Sequence, residues 1–136
     1  MRWVPLLGAL ALLALLAAGC GARSNTPFTA KGTLACLKAK QFTGVTTDPA
    51  QVGFIAGFAD NGGIRATSPH GNVVTVAFTA DTSTVPSTER AFKLHAPKGL
   101  RSHIGDVMRT NRNVVIVWTT SPSSDDEAKL EGCLAP

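Results

Sequence analysis

The sequence predicts an α+β fold: a four-stranded antiparallel sheet made of two hairpin–helix units, with the helices on one face. Residues 63–79 and 103–119 are rich in β-branched side chains and have turn-forming residues near their middle, which is typical of β-hairpins. Each hairpin is followed by a helix-like segment, at residues 86–94 and 122–130. Both units contain Asn-Val-Val-x-Val, then Pro-Ser, then Ala-x-Lys-Leu or Ala-Lys-Leu. These shared words indicate a duplication, although Val-rich strands also look alike without one.

Two further helices are predicted before these units, and we expect them to pack at the side of the sheet. Residues 29–41 place apolar side chains on one stripe of a helix. Residues 42–47 form either a short strand or an extended link. A second helix begins at Asp48, which can cap it, with Pro49 in the first helical position. It is expected to end at the Asn-Gly-Gly of residues 61–63.

The first residues have the features of an export signal. Arg2 precedes an apolar run at residues 4–18, which is shorter than the roughly 20 apolar residues that a membrane span needs. The run ends in Ala-Ala-Gly-Cys at residues 17–20, a motif that resembles the lipobox of bacterial lipoproteins. The resemblance implies that Cys20 is diacylated on its sulfur and becomes the first residue after cleavage. An ordinary signal peptide and an uncleaved anchor are the alternatives.

This resemblance divides the chain into three parts. Residues 1–19 are predicted to be the signal peptide, residues 20–28 a flexible tether, and residues 29–136 a single α+β domain. Two acyl chains on one cysteine make a stable membrane anchor. We therefore expect the domain to be held at the extracytoplasmic face of the cell membrane.

The chain contains three cysteines. If Cys20 carries lipid, Cys36 and Cys133 remain, and export places them in an oxidising compartment. We predict a disulfide between them, which would tie the first helix to the last. Two buried free thiols are the alternative.

The part of the chain after the signal resembles the small exported domains of high-GC Gram-positive bacteria. The resemblance is carried by the Asn-Val-Val-x-Val-Trp strand at residues 113–118, the Pro-Ser that follows it, and the final Gly-Cys-Leu at residues 132–134. It is one of layout and short motifs, and it implies no activity.

The sequence contains no motif for catalysis, metal or cofactor. His70, His95 and His103 are expected in a turn, near a helix end and at a strand start, and no two of them have metal-ligand spacing. Neither a Gly-x-Ser-x-Gly elbow nor a Ser-x-x-Lys motif is present. The formal net charge of +4 is too small to indicate a nucleic-acid partner, and export argues against one. Residues 90–112 are locally basic, which suits either anionic headgroups or an ordinary solvated loop.

The last predicted strand presents the strongest candidate surface. Side chains alternate along a strand, so Val114, Ile116 and Trp118 point to one face. If the repeat is real, Val115 and Val117 match the core positions of the first hairpin. Val114, Ile116 and Trp118 would then lie on the face without helices and form a binding patch for a protein or a ligand. The alternative is a strand register in which Trp118 belongs to the core.

These observations favour a lipid-anchored, non-enzymatic module of the cell envelope that binds a protein or a small ligand. A small cell-envelope hydrolase, with a site assembled from residues distant in sequence, is the alternative from another class. A purely structural lipoprotein is the third. Apart from the membrane, the sequence names no partner, and it predicts no oligomeric state.

Overall fold

Residues 25–136 are described by a computed structural model, and they form a five-stranded antiparallel sheet with seven helices. The predicted signal peptide, Cys20 and the first part of the tether lie outside the described residues. Within residues 25–136, none of the helices is long and apolar enough to span a membrane. The predicted α+β class with an antiparallel sheet is confirmed.

The sheet has one strand more than the sequence predicted. Its strands are β1 (Thr43–Thr46), β2 (Gly63–Thr67), β3 (Val73–Phe78), β4 (Met108–Asn111) and β5 (Val114–Trp118), in the spatial order β1-β2-β3-β5-β4. The additional strand is β1, which pairs with β2 and resolves residues 42–47 as a strand rather than a link. The two predicted hairpins are β2–β3 and β4–β5, and they meet along β3 and β5.

The helices are α1 (Ala30–Ala39), α2 (Pro49–Val52), α3 (Phe54–Gly57), α4 (Val85–His95), α5 (Lys98–Arg101), α6 (Ile104–Val107) and α7 (Ser124–Glu131). The sequence predicted one helix from Asp48 to residues 61–63, and this prediction is wrong because the helix is shorter. Asp48 accepts a hydrogen bond from the Ala50 amide and Pro49 opens the helix, as predicted. The helix then stops at Gly53, whose φ of 101° is a backbone conformation that favours glycine. The chain therefore makes two separate helical turns.

The second hairpin begins later than predicted. His103 was expected at the start of a strand, but it lies at the N-terminal cap of α6, and β4 starts only at Met108. Ile104 and Val107 are both buried. Their spacing of three residues puts them on the same side of a helical turn but on opposite faces of a strand, so their burial favours the turn.

The pairing of β3 with β5 determines which side chains share a face. Trp118 lies opposite Val74, and Ile116 lies opposite Val76. Directly opposed residues project from the same face of a sheet, so these side chains pack together. The same face carries Arg109, which pairs with Ile116 and donates a hydrogen bond to Glu127 of α7. Helix α7 therefore covers this face, and the bond from Cys36 to Cys133 holds α1 beside it.

Helices also cover the opposite face. Thr75 and Val117 are paired there, and they lie beneath residues of α2, α3, α4 and α5. Gly63 is on this face too, and a Cβ at that position would collide with the carbonyl group of Ala56 in α3. The expectation of helices on one face is thus wrong: the sheet lies between two helical layers.

The predicted binding patch is also wrong. Val114, Ile116 and Trp118 are 0%, 1% and 0% exposed, because the register places them in the core beneath α1 and α7. Val117, which was assigned to the core face, lies on the other side of the sheet and is partly exposed. The alternative register, with Trp118 in the core, is the one that forms.

The predicted disulfide between Cys36 and Cys133 is present. Cys36 belongs to α1, and Cys133 follows α7, so the bond ties together the two helices of one layer. Backbone contacts reinforce this join, since the Thr29 amide donates to the Ala135 carbonyl at 2.8 Å. The two ends of the described chain are therefore fixed to each other.

Removing the disulfide should lower the free energy of unfolding. The bond closes a loop with a sequence separation of 97 residues. Loops of that length confer about 2–5 kcal/mol by restricting the unfolded chain. Urea unfolding of Cys36→Ala/Cys133→Ala should show this loss, and the reduced native protein should unfold at the same urea concentration as the variant. An unchanged midpoint would contradict the stabilising role.

Trp118 gives a second stability test, which separates a core position from a surface one. Trp118→Ala should lower the free energy of unfolding by about 3–5 kcal/mol, because it leaves a large cavity. The buried indole N–H of Trp118 has no hydrogen-bond partner among residues 25–136. Trp118→Phe keeps a ring and removes this unsatisfied donor, so it should cost less than half as much. Both variants are measured by urea unfolding followed by far-UV circular dichroism. A small loss in Trp118→Ala would restore the surface interpretation.

Candidate functional site

An apolar cleft of about 430 Å³ lies above the face of the sheet that carries Thr75 and Val117. These two paired residues form its floor. One wall comes from residues 52–56 of α2 and α3, and the other from Phe92 of α4 and Leu100 of α5. The volume is within the range of small-molecule sites, which are about 300–1,000 Å³.

Local sequence explains why the walls stand apart. Gly53 separates α2 from α3, so this wall is built from two short turns rather than one continuous helix. On the other side, α4 ends at His95 and is followed by Ala96, whose backbone is extended before Pro97. The residue before a proline is disfavoured from helical geometry, so the chain turns here and starts α5. Leu100 is carried by that new helix and faces the cleft.

The chemistry of the cleft is almost wholly apolar. Among the described lining residues, Thr75 and His95 have the only polar side chains, and none is acidic. Apolar pockets with a few polar groups bind ligands mainly by burying their apolar surface, and the polar groups set orientation. The cleft is therefore suited to a ligand with an apolar body.

Exposed aromatic side chains lie next to this cleft. Phe54 lines it and is 83% exposed, and Phe58 is 72% exposed. Their ring centroids are 5.5 Å apart. Leu94 of α4 is also exposed, but it does not line the cleft. Adjacent exposed apolar side chains of this size are unusual on a monomer and are typical of binding regions.

A second cluster lies where the β2–β3 turn meets α7. Asp126 is fully buried, and its carboxylate accepts a hydrogen bond from the Ser68 hydroxyl at 2.7 Å. His70 Nδ1 lies 2.9 Å from the other carboxylate oxygen. Ser123 caps the helix by accepting from the Asp126 amide. The cluster thus joins the turn to the start of α7, whose positive dipole end favours a carboxylate.

The pKa of Asp126 is set by opposing effects. Burial raises the pKa. The hydrogen bonds from Ser68 and His70, the charge of His70 and a hydrogen bond with Ser123 lower the pKa by a larger amount. The net result is a pKa below the ordinary value for an aspartate. Asp126 is consequently a buried carboxylate held in its ionised form by its neighbours.

The arrangement of this cluster does not match that of a nucleophile and its base. In a serine hydrolase the hydroxyl donates to the imidazole, and the carboxylate orients the imidazole from its far side. Here the Ser68 hydroxyl donates to Asp126 rather than to the imidazole, and it accepts from the Asn72 amide. The three residues therefore connect two elements of the fold.

One group of residues in the described chain has ligand atoms close enough to hold a metal ion. The ligand atoms of His70, Asp125 and Asp126 all lie within 4.8 Å of one another. Both oxygens of Asp126 already accept hydrogen bonds, and Asp125 is paired with Lys129 at 2.7 Å. A metal ion would have to displace these partners, so the geometry provides no ready site. The absence of a metal stays a prediction.

The structure separates the three histidines that the sequence singled out. His70 is in a turn and His95 ends α4, as predicted, while His103 precedes α6. The sequence missed both the cleft and the partnership of His70 with Asp126, because each joins residues that are far apart in the chain. The acidic first turn of α7 is evident from the sequence, but its contact with the β2–β3 turn is not. The chain has no match among protein-family models, curated proteins or solved structures.

Replacing Asp126 should destabilise the protein in a pH-dependent way. Because the folded state lowers the pKa of Asp126, the carboxylate stabilises the fold at neutral pH, and this contribution is lost as the pH falls through the folded pKa. Asp126→Asn should lower the free energy of unfolding at pH 7 by about 1–3 kcal/mol, and the difference should shrink below about pH 4.

The matched control is Asp125→Asn, which removes a neighbouring carboxylate that is 55% exposed. It should change the free energy of unfolding by less than about 0.5 kcal/mol. Urea unfolding of the three proteins between pH 7 and pH 3 makes the comparison. A difference between native protein and Asp126→Asn that stays constant over this range would contradict the role given to the carboxylate.

Proposed function

We propose that this protein is a non-enzymatic ligand-binding module of the cell envelope, which holds the apolar body of a small ligand in the cleft. The observation that carries the proposal is the cleft itself, whose walls and floor are apolar apart from Thr75 and His95. Its occupant is expected to gain affinity mainly by burying apolar surface, at about 25 cal/mol for each Å² removed from water.

We further propose that the module is anchored through Cys20 at the extracytoplasmic face of the membrane. The support is the lipobox-like motif at residues 17–20, together with the disulfide of the folded domain. Disulfides persist in exported proteins and are rare in reducing compartments. An anchor at the extracytoplasmic face and a ligand in the cleft together suggest that the module binds its ligand outside the cytoplasm.

Binding is preferred to hydrolysis because the concave site and the acid–histidine pair are in different places. None of Ser68, His70 and Asp126 lines the cleft. The histidine that does line it, His95, has no acid or serine beside it among the described lining residues. A hydrolase would need a nucleophile, a base and a bound substrate within reach of one another.

Binding in the cleft is tested by titrating the full chain with N-phenyl-1-naphthylamine, a neutral dye that fluoresces in apolar surroundings. The native protein should bind the dye, and Val117→Phe should bind it about tenfold more weakly, since the added ring fills the space above the floor. The matched control is Leu94→Phe, which adds the same ring at a side chain that is 66% exposed and does not line the cleft.

Leu94→Phe should bind the dye as the native protein does. Urea unfolding of each variant establishes that it is folded at the temperature of the titration. Equal dye binding by the native protein and Val117→Phe would remove the cleft as the site and with it the proposed function.

A further inference from the structure

We propose that the ligand of the cleft is an uncharged apolar molecule that carries a hydroxyl or carbonyl group, and that Thr75 selects this ligand by hydrogen bonding to that group. This inference rests on the proposed function and specifies its ligand class. It is based on the side-chain hydroxyl of Thr75, which lies at the floor of the cleft and has no hydrogen-bond partner among residues 25–136.

Thr75 is in the middle of the sheet and is nevertheless partly exposed. It belongs to β3, the central strand, which has β2 on one side and β5 on the other. Its neighbours along the strand, Val74 and Val76, are fully buried because they face the core. Thr75 projects from the opposite face, where it lines the cleft together with Val117. The cleft above Thr75 accounts for its exposure.

The hydroxyl group of Thr75 is not explained by the fold. The Thr75 side chain makes no hydrogen bond within the described part of the chain. By contrast, the hydroxyl of Thr79, just beyond the end of β3, donates to the Asn113 carbonyl at 2.9 Å. Valine has the same branched shape as threonine and suits strands equally well, and it occupies the paired floor position at Val117. Shape therefore explains a branched side chain at position 75, but it does not explain the hydroxyl.

The other polar side chain of the cleft is in a different situation. His95 is the last residue of α4, and it is exposed. An exposed group keeps its hydrogen bonds to water when a ligand binds, whereas a group on the floor loses them once the ligand covers it. A hydroxyl that loses water and gains no partner weakens binding, so such a site rejects ligands that lack a matching polar group. Selection is therefore expected at Thr75.

The lining residues indicate that the polar group of the ligand is uncharged. None of the described lining residues is an aspartate, glutamate, lysine or arginine. Arg65 is opposite Thr75 in β2, but it is exposed and does not line the cleft. Burying an ionised group without a partner of opposite charge costs far more than burying a hydroxyl or carbonyl that is hydrogen-bonded. The floor is thus suited to a neutral oxygen group.

The test is displacement of N-phenyl-1-naphthylamine from the full chain by 2-naphthol and by 2-methylnaphthalene, which share two rings and differ in a hydroxyl or a methyl group. Thr75→Val should weaken 2-naphthol binding about two- to tenfold, as expected for the loss of one hydrogen bond. It should leave 2-methylnaphthalene binding equal or tighter. Comparing the ratio of the two affinities between proteins cancels the different hydrophobicity of the ligands, and the affinity of the dye is measured for each variant.

Two control variants separate the hydroxyl from other effects of the substitution. Thr75→Ser keeps the hydroxyl and should keep the native ratio of the two affinities. Thr110→Val makes the same chemical change at an exposed position of β4 that does not line the cleft, and it should bind both ligands as the native protein does. Urea unfolding establishes that each variant is folded at the temperature of the titration.

A third ligand, 2-naphthoate, tests the charge. It is ionised at neutral pH and should bind the native protein more weakly than 2-naphthol does, so equal or tighter binding would overturn the uncharged ligand class. A native ratio of affinities in Thr75→Val, or a changed ratio in Thr110→Val, would overturn the role of Thr75 while leaving an apolar cleft. Failure of both neutral ligands to displace the dye would instead count against the proposed function.

Discussion

The register between β3 and β5 is the constraint on which the rest of the structure depends. Opposing Trp118 to Val74 sends the largest side chains of both strands to one face and leaves Val117 and Thr75 on the other. A slip of one residue would exchange the two sets, because side chains alternate along a strand. It would empty the core beneath α1 and α7, and it would put an indole where the cleft now has its floor. The core and the cleft are thus two results of the same pairing.

The two helical layers on either side of this sheet are built differently. The layer of α1 and α7 is closed by the disulfide and by hydrogen bonds of buried polar side chains. Asn113, for example, is 2% exposed, and its side-chain amide donates to the Phe28 and Thr79 carbonyls while its oxygen accepts from the Phe28 amide. The other layer contains four helices of four residues each, α2, α3, α5 and α6, besides α4. Short helices with few internal hydrogen bonds have low local stability, which suits a layer that admits a ligand.

The sequence was sufficient for local features and insufficient for features that depend on register. The cap at Asp48 and the Val-rich strands follow from residue types that are close together in the sequence. The pairing of Cys36 with Cys133 follows from an oxidising compartment. The structure contains all three features. Trp118 was assigned to the wrong face because a similarity between two strand sequences does not fix how the strands oppose each other. The cleft was missed for a related reason: its floor and its two walls come from four separate parts of the chain, and none of them has a motif of its own.

The position of the N-terminal segment of the described chain bears on how a tethered binding module could work. Phe28 is hydrogen-bonded to Asn113, its ring lies 4.3 Å from the guanidinium carbon of Arg112, and α1 follows directly. This segment is therefore attached to the layer of α1 and α7, while the cleft is on the other face of the sheet. Attachment through that layer leaves the cleft and the exposed Phe54 uncovered by the residues that hold the segment in place. In the proposed function, the layer of α1 and α7 would act as the support, and the layer of short helices would contact the ligand.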